Sequence, residues 1–109
     1  MRACLGRRAA ALSNNGAIFV AALARLHAIR GETAEAQRLL RELEAGRYPP
    51  AYEIAKVYAA MARREETFRW MERAYDQRSH SMVLLRIDPQ LAGIRSDPEF
   101  ERMAKRVGL

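Results

Sequence analysis

Cysteine is nearly missing from this sequence, and long apolar runs are missing altogether. The single thiol, Cys4, forms neither an internal disulfide nor a zinc site, which favours a reducing compartment and predicts a cytoplasmic location. No stretch approaches the roughly 20 apolar residues that a membrane-spanning helix needs. Arginines ahead of the apolar residues 17–24 loosely resemble a secretion signal, but the Ser-Asn-Asn-Gly of residues 13–16 separates the two parts.

The motifs of catalysis and metal binding are also missing from the sequence. It has no His-Glu-x-x-His, no paired cysteines, no Gly-x-Ser-x-Gly and no glycine-rich phosphate loop. His80 stands between Ser79 and Ser81, but neighbouring side chains on an extended segment point to opposite sides and do not form a triad. His27 lies on the apolar side of a predicted helix, where packing explains it better than catalysis. We therefore expect no enzymatic activity, no cofactor and no bound metal.

Acidic residues are fewer than basic ones, 13 against 19, so the chain carries a net charge of +6. This excess favours acidic partners through long-range attraction. A nucleic-acid-binding surface needs clustered arginines or aromatic residues interleaved with basic ones. Between residues 63 and 78 the arginines are mixed with four acidic residues, so a basic nucleic-acid-binding protein is the less favoured alternative. We expect a protein or an acidic peptide as the partner.

Apolar residues recur at helical spacing through most of the chain. The first predicted helix places Phe19, Leu23 and Leu26 on one packing face, with Ala22 between them, and stops at Gly31. The packing stripes of the later helices are Ala36, Leu39, Leu40 and Leu43; Ile54, Val57, Tyr58 and Met61; Phe68, Met71, Ala74 and Tyr75; and Phe100, Met103, Ala104 and Val107.

Residues 79–88 show no helical stripe and predict an extended connector or short turn packed against the helices. Asp88 and Asp97 are each followed by proline, a pattern typical of a helix N-cap and first helical residue. We therefore expect one all-α domain over residues 1–109. Its parts are an N-terminal half-helix or cap (1–15), a first helix pair (17–46), a second helix pair (50–78) and a C-terminal connector with a capping helix (79–109).

The two helix pairs match each other at an offset of 31 residues. The positions that coincide are the helix stop and small residues inside the helices: Gly31 with Ala62, Ala24 with Ala55, and Ala36 with Thr67. Small residues facing each other let two antiparallel helices approach closely. We therefore expect close contacts between Ala24 and Ala36 and between Ala55 and Thr67.

The second pair carries I-A-K-V-Y at residues 54–58, followed by Thr67, Met71 and Ala74. It resembles the tetratricopeptide repeat, whose first helix has an apolar-small pair and then tyrosine, and whose second helix has alanine, a bulky apolar residue and alanine. The resemblance implies antiparallel helix pairs stacked as a short right-handed superhelix. It also implies a scaffold or adaptor that binds a protein or peptide through its concave face.

The first pair departs from the family pattern, since His27 replaces the tyrosine and Leu43 the last alanine. The offset is also shorter than the family's usual period of about 34 residues. The C-terminal end of repeat regions in bacterial multidomain regulators is similar to four segments of this chain, residues 52–61, 68–75, 84–89 and 94–103. This resemblance covers residues 17–109.

In such a superhelix the first helix of each pair lines the concave face. The positions of that face outside the packing stripe are Ile18, Ala21, Arg25, Ala28, Tyr52, Lys56 and Ala59. We interpret Arg25 and Lys56 as a basic groove for an acidic peptide or a C-terminal carboxylate, with Tyr52 as an amphipathic contact. The alternative is that both cations are simply solvated.

Two helix pairs are fewer than the three or so that a free-standing stack usually needs. The terminal helices can cap the ends, or two chains can form a homodimer that buries Phe19, Ile29 or Trp70. For Trp70 two interpretations stand, packing against the C-terminal segment or exposure as a contact anchor.

Overall fold

The structure, a computed structural model, describes residues 14–46, 49–77 and 80–108. All of its regular elements in these ranges are helical, which confirms the all-α prediction. They are α1 (Asn14–Ile29), α2 (Thr33–Glu44), α3 (Ala51–Ala60), α4 (Arg64–Asp76), a first 3₁₀ helix (His80–Leu84), a second 3₁₀ helix (Pro89–Ile94) and α5 (Pro98–Val107). An N-terminal half-helix was expected over residues 1–15, and its first 13 residues lie outside the described ranges. The residues expected to end it, from Asn14 onward, begin α1 instead.

The helices form two hairpins, with α1 packed on α2 and α3 packed on α4, while α1 also packs on α3. The small residues expected at the close contacts, Ala24, Ala36, Ala55 and Thr67, are all fully buried. The Thr67 hydroxyl donates a hydrogen bond to the carbonyl of Arg63 at 2.7 Å, so this polar group is satisfied inside the core.

The 31-residue offset is present in the backbone of the two hairpin turns. Gly31 has φ +81° and Ala62 has φ +59°, so both lie in the left-handed region. The next N–H in each turn reaches back to the same position of the preceding helix. Glu32 donates to the carbonyl of His27 at 2.8 Å, and Arg63 donates to that of Tyr58 at 3.0 Å. The first helix of each hairpin therefore ends in the same turn geometry.

Helix α1 turns a different side to the core from the one predicted. Its buried residues are Ala17, Val20, Ala21 and Ala24, whereas Phe19, Leu23 and Leu26 are exposed. The expected packing face was wrong because α1 is apolar on nearly every side, so spacing alone does not select one. The smaller residues form the packed side, which allows the neighbouring helices to approach closely.

Residues 80–88 form a 3₁₀ helix followed by a turn, which agrees with the predicted short turn and not with the extended alternative. The two 3₁₀ helices and the turn between them bury Met82, Leu85 and Leu91. The second packs on α3, and α5 packs on α4. Both predicted N-caps are confirmed, since Asp88 accepts from the N–H of Gln90 and Asp97 accepts from that of Glu99, each at 2.9 Å.

Trp70 lies in the buried core, so it is not the exposed anchor of one interpretation. None of the helices in the described ranges combines the length and apolarity needed to cross a membrane.

Candidate functional site

The residues predicted to line a concave groove do not share one environment. Ala21 and Tyr52 are 2% and 3% exposed and belong to the core, which corrects their expected place outside the packing stripe. They are buried because α1 and α3 pack on each other as well as on their hairpin partners. Ala59 is half-buried, and Lys56 keeps only 12% of its side chain exposed.

Tyr52 and Lys56 do lie together, and they hold a carboxylate of this same chain. The Tyr52 hydroxyl donates to Oδ2 of Asp88 at 2.8 Å. The Lys56 Nζ lies 3.6 Å from that oxygen and 3.0 Å from Oε2 of Glu53. The ammonium also stands 5.1 Å from the centre of the Tyr52 ring. Lys56 and Tyr52, two of the three residues of the predicted basic groove, therefore hold Asp88 of the same chain.

The pKa shifts of this cluster follow from its geometry. Burial raises the pKa of Asp88, but hydrogen bonds from the Gln90 N–H and the Tyr52 hydroxyl, with the charge of Lys56, outweigh burial and leave the pKa below its ordinary value. Burial, and then the bond to Asp88, raises the pKa of Tyr52, so its hydroxyl stays a donor. The cluster fixes the second 3₁₀ helix on α3.

Arg25, the other predicted cation, is separate from this cluster. It is half-buried, and its Nε is buried without a hydrogen-bond partner in the described part of the chain. Helical spacing places it one turn from Ala22 and Ile29 and two turns from Ile18. Because this Nε is out of reach of solvent, any contact of Arg25 with a second molecule runs through its terminal nitrogens.

Next to Arg25, α1 exposes a continuous apolar surface. Between 38% and 66% of each large side chain is accessible at five positions, which we call the outer face of α1: Ile18, Phe19, Leu23, Leu26 and Ile29. Soluble proteins rarely leave such a patch exposed unless it contacts something. Sequence reasoning assigned three of these residues to the core. The sequence did contain one signal: α1 is apolar on nearly all sides, and such a helix is expected to make contacts on more than one face.

The charges on α1 itself have one sign. Helix α1 contains no aspartate or glutamate. Its cations are Arg25 and, in the turn that follows, Arg30, which is exposed and lies 3.8 Å from Glu32. His27 is half-buried and its Nδ1 lies 2.7 Å from the same glutamate. Helix α1 therefore presents to solvent an apolar strip with Arg25 beside it, and Glu32 pairs with Arg30 and His27 at its C-terminal end.

A smaller apolar group is exposed elsewhere, at Val83, Leu84 and Ile87 around the first 3₁₀ helix. No group of three or more His, Cys, Asp or Glu side chains within the described ranges is arranged to hold a metal ion. No family model matches the chain, and no curated protein or solved structure is similar enough to it to count as a match.

Proposed function

We propose that this chain is a helical protein-interaction module that binds an amphipathic helix of a partner protein through the outer face of α1. The observation that carries the proposal is the row of five large apolar side chains exposed along one helix. A partner helix with apolar residues at i, i+3, i+4 and i+7 matches such a strip. Burying the exposed part of each of these side chains contributes roughly 1 kcal/mol to the free energy of binding.

The partner helix carries acidic residues beside its apolar stripe. Helix α1 has no acidic residue, and the half-buried Arg25 lies beside its apolar strip. A second copy of the chain carries the same net charge of +6 and is therefore repelled at long range. The chain's own residues 1–13 contain three arginines and no acidic residue. Like charge therefore disfavours both of these occupants and favours an acidic protein.

The architecture that best suits this function is a short tetratricopeptide-like stack with a right-handed superhelical twist. Its support is the pair of matching hairpin turns and the buried small residues at Ala24, Ala36, Ala55 and Thr67. In this architecture a helix on the outer face of α1 continues the stack on the side away from α3. We place the module in the cytoplasm, in line with its single cysteine, and assign it no enzymatic role.

The test uses two synthetic helical peptides with one leucine stripe, flanked by glutamates in the first and by lysines in the second. Fluorescence anisotropy measures their binding to the whole chain. We expect tighter binding of the glutamate peptide and at least a tenfold loss in Phe19→Ser/Leu26→Ser. The matched control, Val83→Ser/Ile87→Ser, removes two exposed apolar residues elsewhere and keeps the affinity. Preference for the lysine peptide, or equal loss in both double variants, contradicts the proposal.

Two further measurements distinguish the other occupants. If sedimentation shows a stable dimer that Phe19→Ser/Leu26→Ser dissociates, the outer face belongs to a second copy. If the free monomer binds no apolar dye, a segment of the chain itself covers the face. The proposal requires a monomer whose dye binding disappears in the same variant.

A further inference from the structure

A cleft of about 250 Å³ lies where the two hairpins meet, between the end of α2, the end of α3 and one side of α4. Its walls are Glu44, Tyr58, Arg69, Trp70 and Arg73. Trp70 and Tyr58 are almost fully buried and form its floor, whereas both arginines are exposed. The cleft is smaller than most small-molecule sites, which span about 300–1,000 Å³, and its volume suits a single side chain.

The acidic member of the cleft already has a partner. The Tyr58 hydroxyl donates to a carboxylate oxygen of Glu44. Burial, and then this bond, raises the pKa of Tyr58, so the hydroxyl remains a donor at neutral pH. This bond holds the Glu44 carboxylate against the floor.

The two arginines of the cleft lie one turn apart on α4, and two carboxylates near them in sequence pair with other arginines. Glu66 pairs with Arg63 at 3.7 Å, and Glu72 pairs with Arg106. Within the described residues Arg69 and Arg73 have no ion pair. The Arg73 guanidinium stands 4.3 Å from the centre of the Trp70 ring, which orients it over the floor.

We propose that this cleft binds a carboxylate of an acidic protein segment between Arg69 and Arg73. Two guanidinium groups with exposed N–H donors match the two oxygens of a carboxylate. With Glu44 in the wall, the cleft carries one net positive charge, which a monoanion neutralises. A doubly charged phosphate leaves an excess negative charge beside Glu44, so a carboxylate is the better fit. This site is independent of the outer face of α1.

Trp70 is the only tryptophan of the chain, so its fluorescence reports on this cleft alone. The probe is a blocked tetraglutamate peptide, with blocked tetraglutamine as the neutral control. We expect a saturable change of emission with tetraglutamate and none with tetraglutamine. Arg69→Gln/Arg73→Gln should weaken this binding at least tenfold. The indole N–H resonance of Trp70 gives a second readout, because removing Arg73 also alters the resting fluorescence.

The matched control is Arg102→Gln/Lys105→Gln, which removes the same charge from exposed positions of α5 and should keep the titration. If both double variants lose tetraglutamate affinity equally, only the net charge of the chain matters, and the proposed binding site is wrong. A stronger response to inorganic phosphate than to tetraglutamate would overturn the carboxylate assignment. Phe19→Ser/Leu26→Ser should leave the titration unchanged, so failure here and failure of the α1 proposal are distinguishable.

Discussion

At the scale of single residues, Asp88 links parts of the chain that are far apart in sequence. Its carboxylate accepts from Tyr52 on α3 and from the N–H of Gln90, which begins the second 3₁₀ helix. Its carbonyl accepts from the Arg95 guanidinium at 2.8 Å. One aspartate therefore caps a helix and anchors it on α3. Lys56 and Tyr52, predicted to line a groove for a partner together with Arg25, therefore contribute to stability instead.

Replacing Asp88 with asparagine should lower the free energy of unfolding by about 1–2 kcal/mol at neutral pH, because hydrogen bonds to a charged group are lost. The pKa of Asp88 lies below its ordinary value of 3.8 in the folded chain. Its contribution is therefore complete above that value and fades as the pH falls through the lower, folded pKa. Urea denaturation followed by circular dichroism should show the difference between wild type and Asp88→Asn shrinking below about pH 4.

Asp76→Asn provides the matched control, since Asp76 is an exposed carboxylate at the end of α4. It removes the same charge and should not reduce stability. A deficit of Asp88→Asn that stays constant down to strongly acidic pH would show that the carboxylate charge contributes nothing.

At the scale of secondary-structure elements, the two hairpin turns provide a matched pair of substitutions. A Cβ added at Gly31 would meet no atom within 4 Å. The left-handed backbone of Gly31 is therefore the only source of strain for a side chain at this position. Gly31→Ala should therefore destabilise the chain by about 1 kcal/mol. Ala62 already has this strain at φ +59°, so Ala62→Gly should stabilise by about 0.5 kcal/mol after the entropy cost of glycine.

Thermal unfolding of both variants checks the turn prediction. Gly93→Ala is the control, because its Cβ also meets nothing and its backbone is not left-handed. It should change stability little. If Gly31→Ala and Ala62→Gly shift the midpoint in the same direction, the two turns are not equivalent.

Elements with one polar and one apolar side were predictable from sequence. All four stripe residues of α2 are buried as expected, because only one side of that helix is apolar. Helix α1 offered no such contrast, and its packed side depends on how α2 and α3 approach it. The contact between Tyr52 and Asp88 spans 36 residues, and no local pattern predicts it. The 3₁₀ helices are short and depend on burying Met82, Leu85 and Leu91 in the common core.

At the scale of the whole molecule, the positions of the unpaired arginines favour an acidic partner more strongly than the net charge of +6 does. Several acidic side chains are engaged inside the chain, as in Lys56 with Asp88, Arg86 with Glu101 and Arg106 with Glu72. Arg25 beside the outer face of α1, and Arg69 and Arg73 in the cleft on α4, lie outside the ion pairs of the described residues. Both proposed sites therefore combine apolar or aromatic surface with arginine, a composition enriched at protein interfaces.

Salt should accordingly weaken the binding of the glutamate-flanked peptide to the whole chain without abolishing it. Raising the ionic strength from about 0.05 to 0.5 M shortens the screening length several-fold. We expect roughly a tenfold loss of affinity, with the apolar contribution of the outer face of α1 remaining. Arg25→Gln should flatten this dependence, because the guanidinium beside the strip is removed, whereas Lys105→Gln on α5 should change it less. An affinity that does not respond to salt would mean that the apolar strip alone selects the partner, and the acidic character assigned to that partner would be wrong.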